Sequence, residues 1–213
     1  MKRLGILFLR EGLLKKSLLR NCLLKVVLLA GVLTPLLAQA ELTFGIVAPS
    51  SGGAAPLGLG MQKGIETYFA EVNAAGGVNG ETLALIARDD QYKPLQAASN
   101  TRALIQEDEV LAAIGNVGTP TATVTIPIYN EYETLLYGAF TGAGVLRKSP
   151  PDRYVINYRA SYVQETAAMV DGLLEAGVLP EEIAFFTQND SFGDAGYNGA
   201  TKALAAHGVD NIS

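Results

Sequence analysis

A single histidine, His207, and a single cysteine, Cys22, are all the imidazole and thiol that this chain of 213 residues has for chemistry. Ser-His-Asp catalysis and zinc coordination therefore have almost nothing to work with. His207 stands at a helix end just before Gly208, and a helix-terminal His beside a C-cap Gly needs no catalytic role. Asp89-Asp90 is an acid pair at the end of an apolar run, and paired carboxylates can share acid and base work. No nucleophile or metal-ligand set accompanies it. Loop polarity and capping ahead of a helix opening at Pro94 are much the better account of the pair. The expectation is no catalytic residue, no metal and no cofactor.

Loops of small, hydroxylated residues are more informative. The run IGNVGTPTAT, residues 114–123, follows an apolar segment. In it Thr119-Pro120 predicts a helix start: Thr caps the first free N–H groups and Pro fits the first helical position. Gly118, just ahead, allows another group to approach the backbone closely. A helix N-terminus presents free donors and a positive dipole end, which suits a carboxylate or phosphate. A well-capped strand-to-helix turn explains the same residues, and from this loop alone that plainer account is favoured. A phosphate-binding P-loop is not supported, because the Gly-x-x-x-x-Gly-Lys pattern is missing. The loop PSSGGAAPLGLG, with Asp89 ending the next strand, has the outline of a dinucleotide site. Its spacing fails, since Gly58 and Gly60 are followed by Lys63 where a third Gly should stand. A third loop, Ala139 to Gly144, offers Phe140, Thr141 and Gly142. A fourth, QNDSFG, places Phe192 beside Asp190, a candidate N-cap. An ordinary glycine turn and a local packing anchor explain these last two about as well as ligand contact does. Hydroxyls, N–H groups and aromatic faces equip a site to bind without reacting.

The elements that must position these loops alternate. Strands are predicted at Leu42 to Ala48, Thr82 to Ala87, Val110 to Ile114, Thr134 to Ala139, Tyr154 to Asn157 (a crossing strand) and Ile183 to Thr187. Helices are predicted around Met61 to Val72 (stopped by Gly76-Gly77), from Pro94, from Thr119 to about Glu131, from Tyr162 to Ala176 and from Gly193 to His207, with a short turn at Ala143 to Arg147. This order means an α/β protein with a parallel sheet. Ligands in such sheets sit beyond the carboxyl ends of the strands, which directs attention to the loops after the first, third and fourth strands.

Residues 1–40 read as a secretory signal peptide. Seven bases are opposed only by Glu11, an apolar run follows from Val26 to Leu37, and Ala38-Gln39-Ala40 is a small-x-small cleavage signal before Glu41. The run is shorter than the roughly 20 residues a span needs, and Pro35 interrupts it. Removing seven of the 16 bases and one of the 21 acids leaves nine against 20, a net charge of −11, and removes Cys22. A disulfide framework is thereby excluded. An acidic exported protein is a poor candidate for nucleic acid or an anionic membrane.

The stretch ELTFGIVAPSSGGAAPLGLGMQKGIETYFAEVNAAGGVNG, the run RDDQYKPLQAASNTRALIQEDEVLAAIGNVGTPTAT, and the segments FTGAGVLR, RYVINYRASY and FFTQNDSFGDAG resemble branched-chain amino-acid-type substrate-binding proteins of ABC importers. The likeness runs from Glu41 to the last residue. It implies a type I periplasmic-binding-protein fold: two α/β lobes around a hinge, closing on a small ligand, with a permease of the inner membrane as partner and the periplasm as location. It implies that Thr119, with Gly118, meets the ligand carboxylate, that Phe140, Thr141 and Gly142 form the second wall of lobe one, and that Phe192 closes over the ligand. Leu57 falls where amino-acid binders often have Tyr, and Phe140 where a smaller residue is common. Leucine-like amino acids, aromatic acids and small amides all remain open as ligands. Lobe one is expected at residues 41–157, with an incomplete start of lobe two at residues 158–213. A doubly wound dinucleotide-dependent enzyme, or a ligand sensor on the same fold, is the alternative.

Overall fold

The computed structural model describes residues 40–209. The leader read at residues 1–40 lies, apart from Ala40, outside the described residues.

Strands β1 (Glu41–Ala48), β2 (Thr82–Asp89), β3 (Ala112–Ile114), β4 (Leu135–Tyr137) and β5 (Val155–Ile156) form one sheet in the order β2-β1-β3-β4-β5, parallel throughout. Each crossover carries a helix as far as β4: α1 (Ala55–Ala74), α2 (Pro94–Gln106) and α3 (Thr119–Glu131). The parallel α/β architecture expected from the alternation is the one observed. The stretch expected to cross between lobes enters the sheet as β5, with Tyr137 opposite Ile156.

Successive strand residues point to opposite faces, and β1 shows how both are filled. Ile46 and Ala48 pack with Ile65 and Phe69 of α1 on one side. Val47 packs with Ala97 and Leu104 of α2 on the other. A strand buried on both faces reads as a continuous apolar run, as FGIVA does. Helix α3 sets Ala122, Ile126 and Tyr129 against Ala113 and Leu136 of the neighbouring strands. Fully burying one such aliphatic side chain contributes on the order of 2 kcal/mol.

The strand order reverses between β1 and β3. These two strands pair only through Phe44–Ala112 and Gly45–Ala113, and then separate. Asn116 holds the parting strands. Its Oδ1 accepts the Val47 N–H at 3.1 Å, and its Nδ2 donates to the Tyr129 hydroxyl at 2.8 Å. The Val117 N–H completes the join by donating to the Val47 carbonyl at 3.3 Å.

The loop after β2 is built by the acid pair. Asp89 accepts from the Ser50 N–H at 2.8 Å, the Gln91 N–H at 2.9 Å and the Ser51 hydroxyl at 2.5 Å. Asp90 is fully buried and accepts the Tyr92 N–H at 2.8 Å. Gln91 and Tyr92 take left-handed backbone conformations, φ 52° and 62°. The expected capping role is different in kind: Lys93 is the N-cap of α2 and no side chain bonds there, while the two carboxylates shape the turn before it.

Beyond β5 lie α4 (Tyr162–Glu175) and α5 (Ser191–Ala206), which pack together through Val170, Ala200, Ala203 and Leu204. Asp190 caps α5 as expected, accepting the Phe192 and Gly193 N–H groups. The strand expected at Ile183 to Thr187 does not form. Its alternation is real, for Ile183 and Phe185 rest on the α4–α5 cluster while Phe186 is wholly exposed. What it lacks, among the described residues, is a neighbouring strand to receive its backbone hydrogen bonds, and a parallel ladder cannot form alone.

Three measurements check this account. Asn116→Ala strands two buried polar groups and lowers stability by about 2–5 kcal/mol, read as a shift of the urea midpoint. Burial, reinforced by the charge of Asp89 and opposed by the Tyr92 N–H, pushes the Asp90 carboxyl from an ordinary 3.8 up to about 6. The unfolded chain therefore ionises first, and stability held below about pH 4 is lost as pH rises through about 6. Asp90→Asn flattens that decline, worth about 3 kcal/mol, in thermal unfolding followed from pH 4 to 7. In hydrogen exchange, the amides of residues 183–187 exchange orders of magnitude faster than those of Ala112–Ile114.

Candidate functional site

A cavity of about 570 Å³ opens where β1 and β3 diverge, beyond their carboxyl ends. Its position follows from the topology, since the strand reversal leaves the loops after β1 and β3 turned apart. Gly118, Thr119 and Val117 form its floor, and Gly53, Ala54 and Leu57 of the β1–α1 connection one side.

Helix α3 begins there, with its cap one residue earlier than expected. Gly118, at φ 117° and ψ 141°, is the N-cap, and its carbonyl accepts the Ala122 N–H at 3.1 Å. Thr119 is therefore the first helical residue and Pro120 the second, and Thr119 does not cap the helix through its side chain. Its hydroxyl instead meets the Thr141 hydroxyl at 2.6 Å, and Thr141 also accepts the Ala143 N–H at 3.2 Å. No side chain caps the first turn of α3, and the positive end of the helix stands behind its N–H groups.

Aromatic side chains make much of the remaining wall. Phe140 follows β4 and is placed by its N–H, which donates to the Asn116 carbonyl at 2.7 Å. The Arg159 guanidinium lies 4.6 Å from the Phe140 ring centre and 5.5 Å from that of Tyr162. It also forms a two-point ion pair with Glu165, at 3.0 and 3.2 Å. That hydrogen-bonded pairing raises the Arg159 pKa, against the opposing effect of burial. Phe192 meets Tyr162 edge to face with ring centres 5.4 Å apart. Gln91, Tyr92 and Gln188 complete the lining.

Of the seven candidate residues, Leu57, Gly118, Thr119, Phe140 and Phe192 line the cavity. Thr141 and Gly142 stand behind it. Thr141 is fully buried and steadies Thr119. Gly142 lets the start of α4 come close: its carbonyl accepts the Tyr162 N–H at 2.8 Å, and a Cβ there would sit 2.9 Å from the Tyr162 nitrogen. Tyr92, Arg159, Tyr162 and Gln188 were not singled out from the sequence. The signal for Tyr92 was available, because the loop after β2 lies on the same edge of the sheet as the other three. His207 is far from this chemistry in role, pairing with Asp171 at 2.6 Å between α5 and α4. Among the described residues no group of three or more His, Cys, Asp or Glu could hold a metal ion.

The protein-family model described as "Periplasmic binding protein" matches residues 41–213. The chain is 30% identical over 166 residues to the Leu/Ile/Val-binding protein homolog 7 of Brucella melitensis, an alignment covering 73% of this chain and 40% of that one. A solved structure of a possible leucine/isoleucine/valine-binding protein from Rhodopirellula baltica is similar at 49% identity and a TM-score of 0.78, over 85% of this chain and 47% of that one. A solute-binding protein of an ABC transporter from R. palustris, solved with 4-hydroxybenzoate, shares the fold at 21% identity and a TM-score of 0.67, over 79% of this chain and 44% of that one. The chain thus spans less than half the length of these relatives. With the parallel five-stranded sheet and its switch-point cavity, the match over residues 41–213 means that the chain belongs to the periplasmic binding protein family.

Proposed function

We propose that this chain is part of an exported solute receptor of an ABC importer, working in the periplasm with an inner-membrane permease. It binds an amino acid or a related small carboxylate or amide and carries out no chemistry on it. The single observation behind this reading is the opening of the α3 N-terminus into the cavity, with Gly118 and Thr119 on the floor and the aromatic rings of Phe140, Tyr162 and Phe192 around it. That arrangement suits a carboxylate at one end and an apolar body at the other. Leu57, Gly118, Thr119, Phe140 and Phe192 are the proposed contacts, with Thr141 and Gly142 supporting them. Relatives named as Leu/Ile/Val-binding homologues support the amino-acid side of the reading.

A doubly wound dinucleotide enzyme fits less well. The turn after β1 would have to offer its N–H groups to a pyrophosphate, yet the Ser50 N–H and the Ser51 hydroxyl are held by the Asp89 carboxylate. Hydrogen bonding from Ser51, Gln91 and Ser50 outweighs the burial that would raise Asp89, and brings its pKa down to about 2. The carboxylate therefore stays negative in the place where phosphate would need donors.

The reading is tested by native mass spectrometry of the exported protein, which should carry a small carboxylate or amide released on denaturation. Chemical turnover of that solute by the purified protein would end the receptor reading. Thr119→Val keeps the side-chain volume but removes the hydroxyl and its bond to buried Thr141, so thermal unfolding is followed alongside to confirm that the variant is folded. In isothermal titration it should weaken binding of that solute by about 1–3 kcal/mol, and unchanged affinity would remove Thr119 from the contact set.

A further inference from the structure

Tyr92 occupies a place in the cavity that neither its loop nor its residue type required. It lines the floor from the side of β2, although its strand stands one position away from the switch point. It reaches there through the left-handed turn at Gln91 and Tyr92, φ 52° and 62°, a conformation that side-chain-bearing residues adopt at a cost. Four hydrogen bonds hold that turn: Asp89 to the Gln91 N–H, Asp90 to the Tyr92 N–H, the Asp90 carbonyl to the Lys93 N–H, and Asn100 to the Asp89 carbonyl. The ring is then laid on Gly118. A Cβ at Gly118 would stand 2.7 Å from Tyr92 Cε2, so the glycine at the N-cap makes room for this ring as well as supplying φ 117°. Tyr92 shares the cavity lining with Thr119 and Gln188, and burial, reinforced by the charge of Asp190 and opposed by hydrogen bonding with Gln188 and the Thr119 N–H, keeps its phenol pKa above the ordinary 10.0. It is an O–H donor at any working pH.

The sequence of α3 explains what such a donor adds. Pro120, the second helical residue, has no N–H to offer. The helix therefore presents one donor fewer to anything bound at its end than its position implies.

The geometry points to Tyr92 as a specificity-determining residue: its phenol O–H stands in for the donor that Pro120 lacks, and selects ligands whose end group is a carboxylate over the corresponding uncharged amide. This rests on the receptor reading proposed above. The phenol hydrogen can be given to an acceptor in the cavity that Tyr92 lines, and a charged acceptor gains more from it than a neutral one. Gly118, Tyr92 and Thr119 then act as one surface, in which the glycine seats the ring and the helix end polarises the hydroxyl.

The test compares wild type with Tyr92→Phe, which keeps the ring on Gly118 and removes only the hydroxyl. The full-length protein is titrated calorimetrically with two matched pairs, L-leucine with L-leucinamide and benzoate with benzamide. Wild type should prefer the carboxylate of at least one pair, and Tyr92→Phe should narrow that preference about tenfold while moving the amide affinity less than threefold. An unchanged preference in Tyr92→Phe, or a wild type that binds amides as tightly as carboxylates, overturns the role of Tyr92 and leaves the receptor reading standing. A wild type that binds none of the four overturns the ligand class on which both rest. As a second readout, 3-fluorotyrosine placed at residue 92 should show a higher phenol pKa by fluorine NMR when the preferred carboxylate is added. A fluorine resonance and pKa indifferent to that carboxylate would mean that the phenol does not touch it.

Discussion

Where two parallel strands must part, their backbone groups need new partners, and Asn116 supplies them. Val47 stands two residues past the last β1–β3 pair, at a point where an ordinary ladder would continue. The Asn116 side chain takes its N–H and the Val117 N–H reaches its carbonyl. The same amide group anchors the Tyr129 hydroxyl, a fully buried phenol whose pKa burial pushes up to about 12. The asparagine backbone carbonyl in turn places Phe140. One buried side chain thus joins the end of β1, the core under α3 and the loop after β4. The cavity exists because these pieces are held apart at a fixed spacing rather than zipped together.

A second layer of constraint comes from the acid pair. Asp89 and Asp90 look alike in sequence but sit in opposite environments. Asp89 gathers donors from two loops and is driven well below its ordinary value, whereas Asp90 is enclosed and driven above it. Together they keep Gln91 and Tyr92 in conformations costing on the order of 1 kcal/mol each. The hydrogen bonds offset that strain, and what remains is a preset turn that presents an aromatic ring to the cavity floor.

The far wall is organised by packing and charge instead of by strand ends. Ser161 opens α4 with a capping box, its side chain and that of Gln164 each serving the other's backbone. Gly142 brings Tyr162 against the loop after β4, and Phe192 and Arg159 gather on that ring. The guanidinium is neutralised by Glu165 while its face covers Phe140. Such a wall offers polarisable surface and a guanidinium already paired with a carboxylate.

How much of this was legible in sequence divides along physical lines. Periodicity is local, so the order of helices and strands, the apolar run of β1 and the Asp190 cap of α5 could all be read without coordinates. The failure at Ile183 to Thr187 has the same root, because an alternating pattern records which faces are apolar and says nothing of whether a partner strand is there to bond. Thr119 and Gly118 were recognisable as a helix start, yet which of them caps depended on Thr141, 22 residues away, drawing off the threonine hydroxyl. Chain composition by itself determined that thiol and imidazole chemistry would be scarce, and the loops at the strand ends read as carriers of hydroxyls, amides and rings. Only the tertiary structure decided that Tyr92, Arg159, Tyr162 and Gln188 meet around α3. Their convergence comes from strand order and from hydrogen bonds between distant loops, interactions that no short stretch of sequence contains.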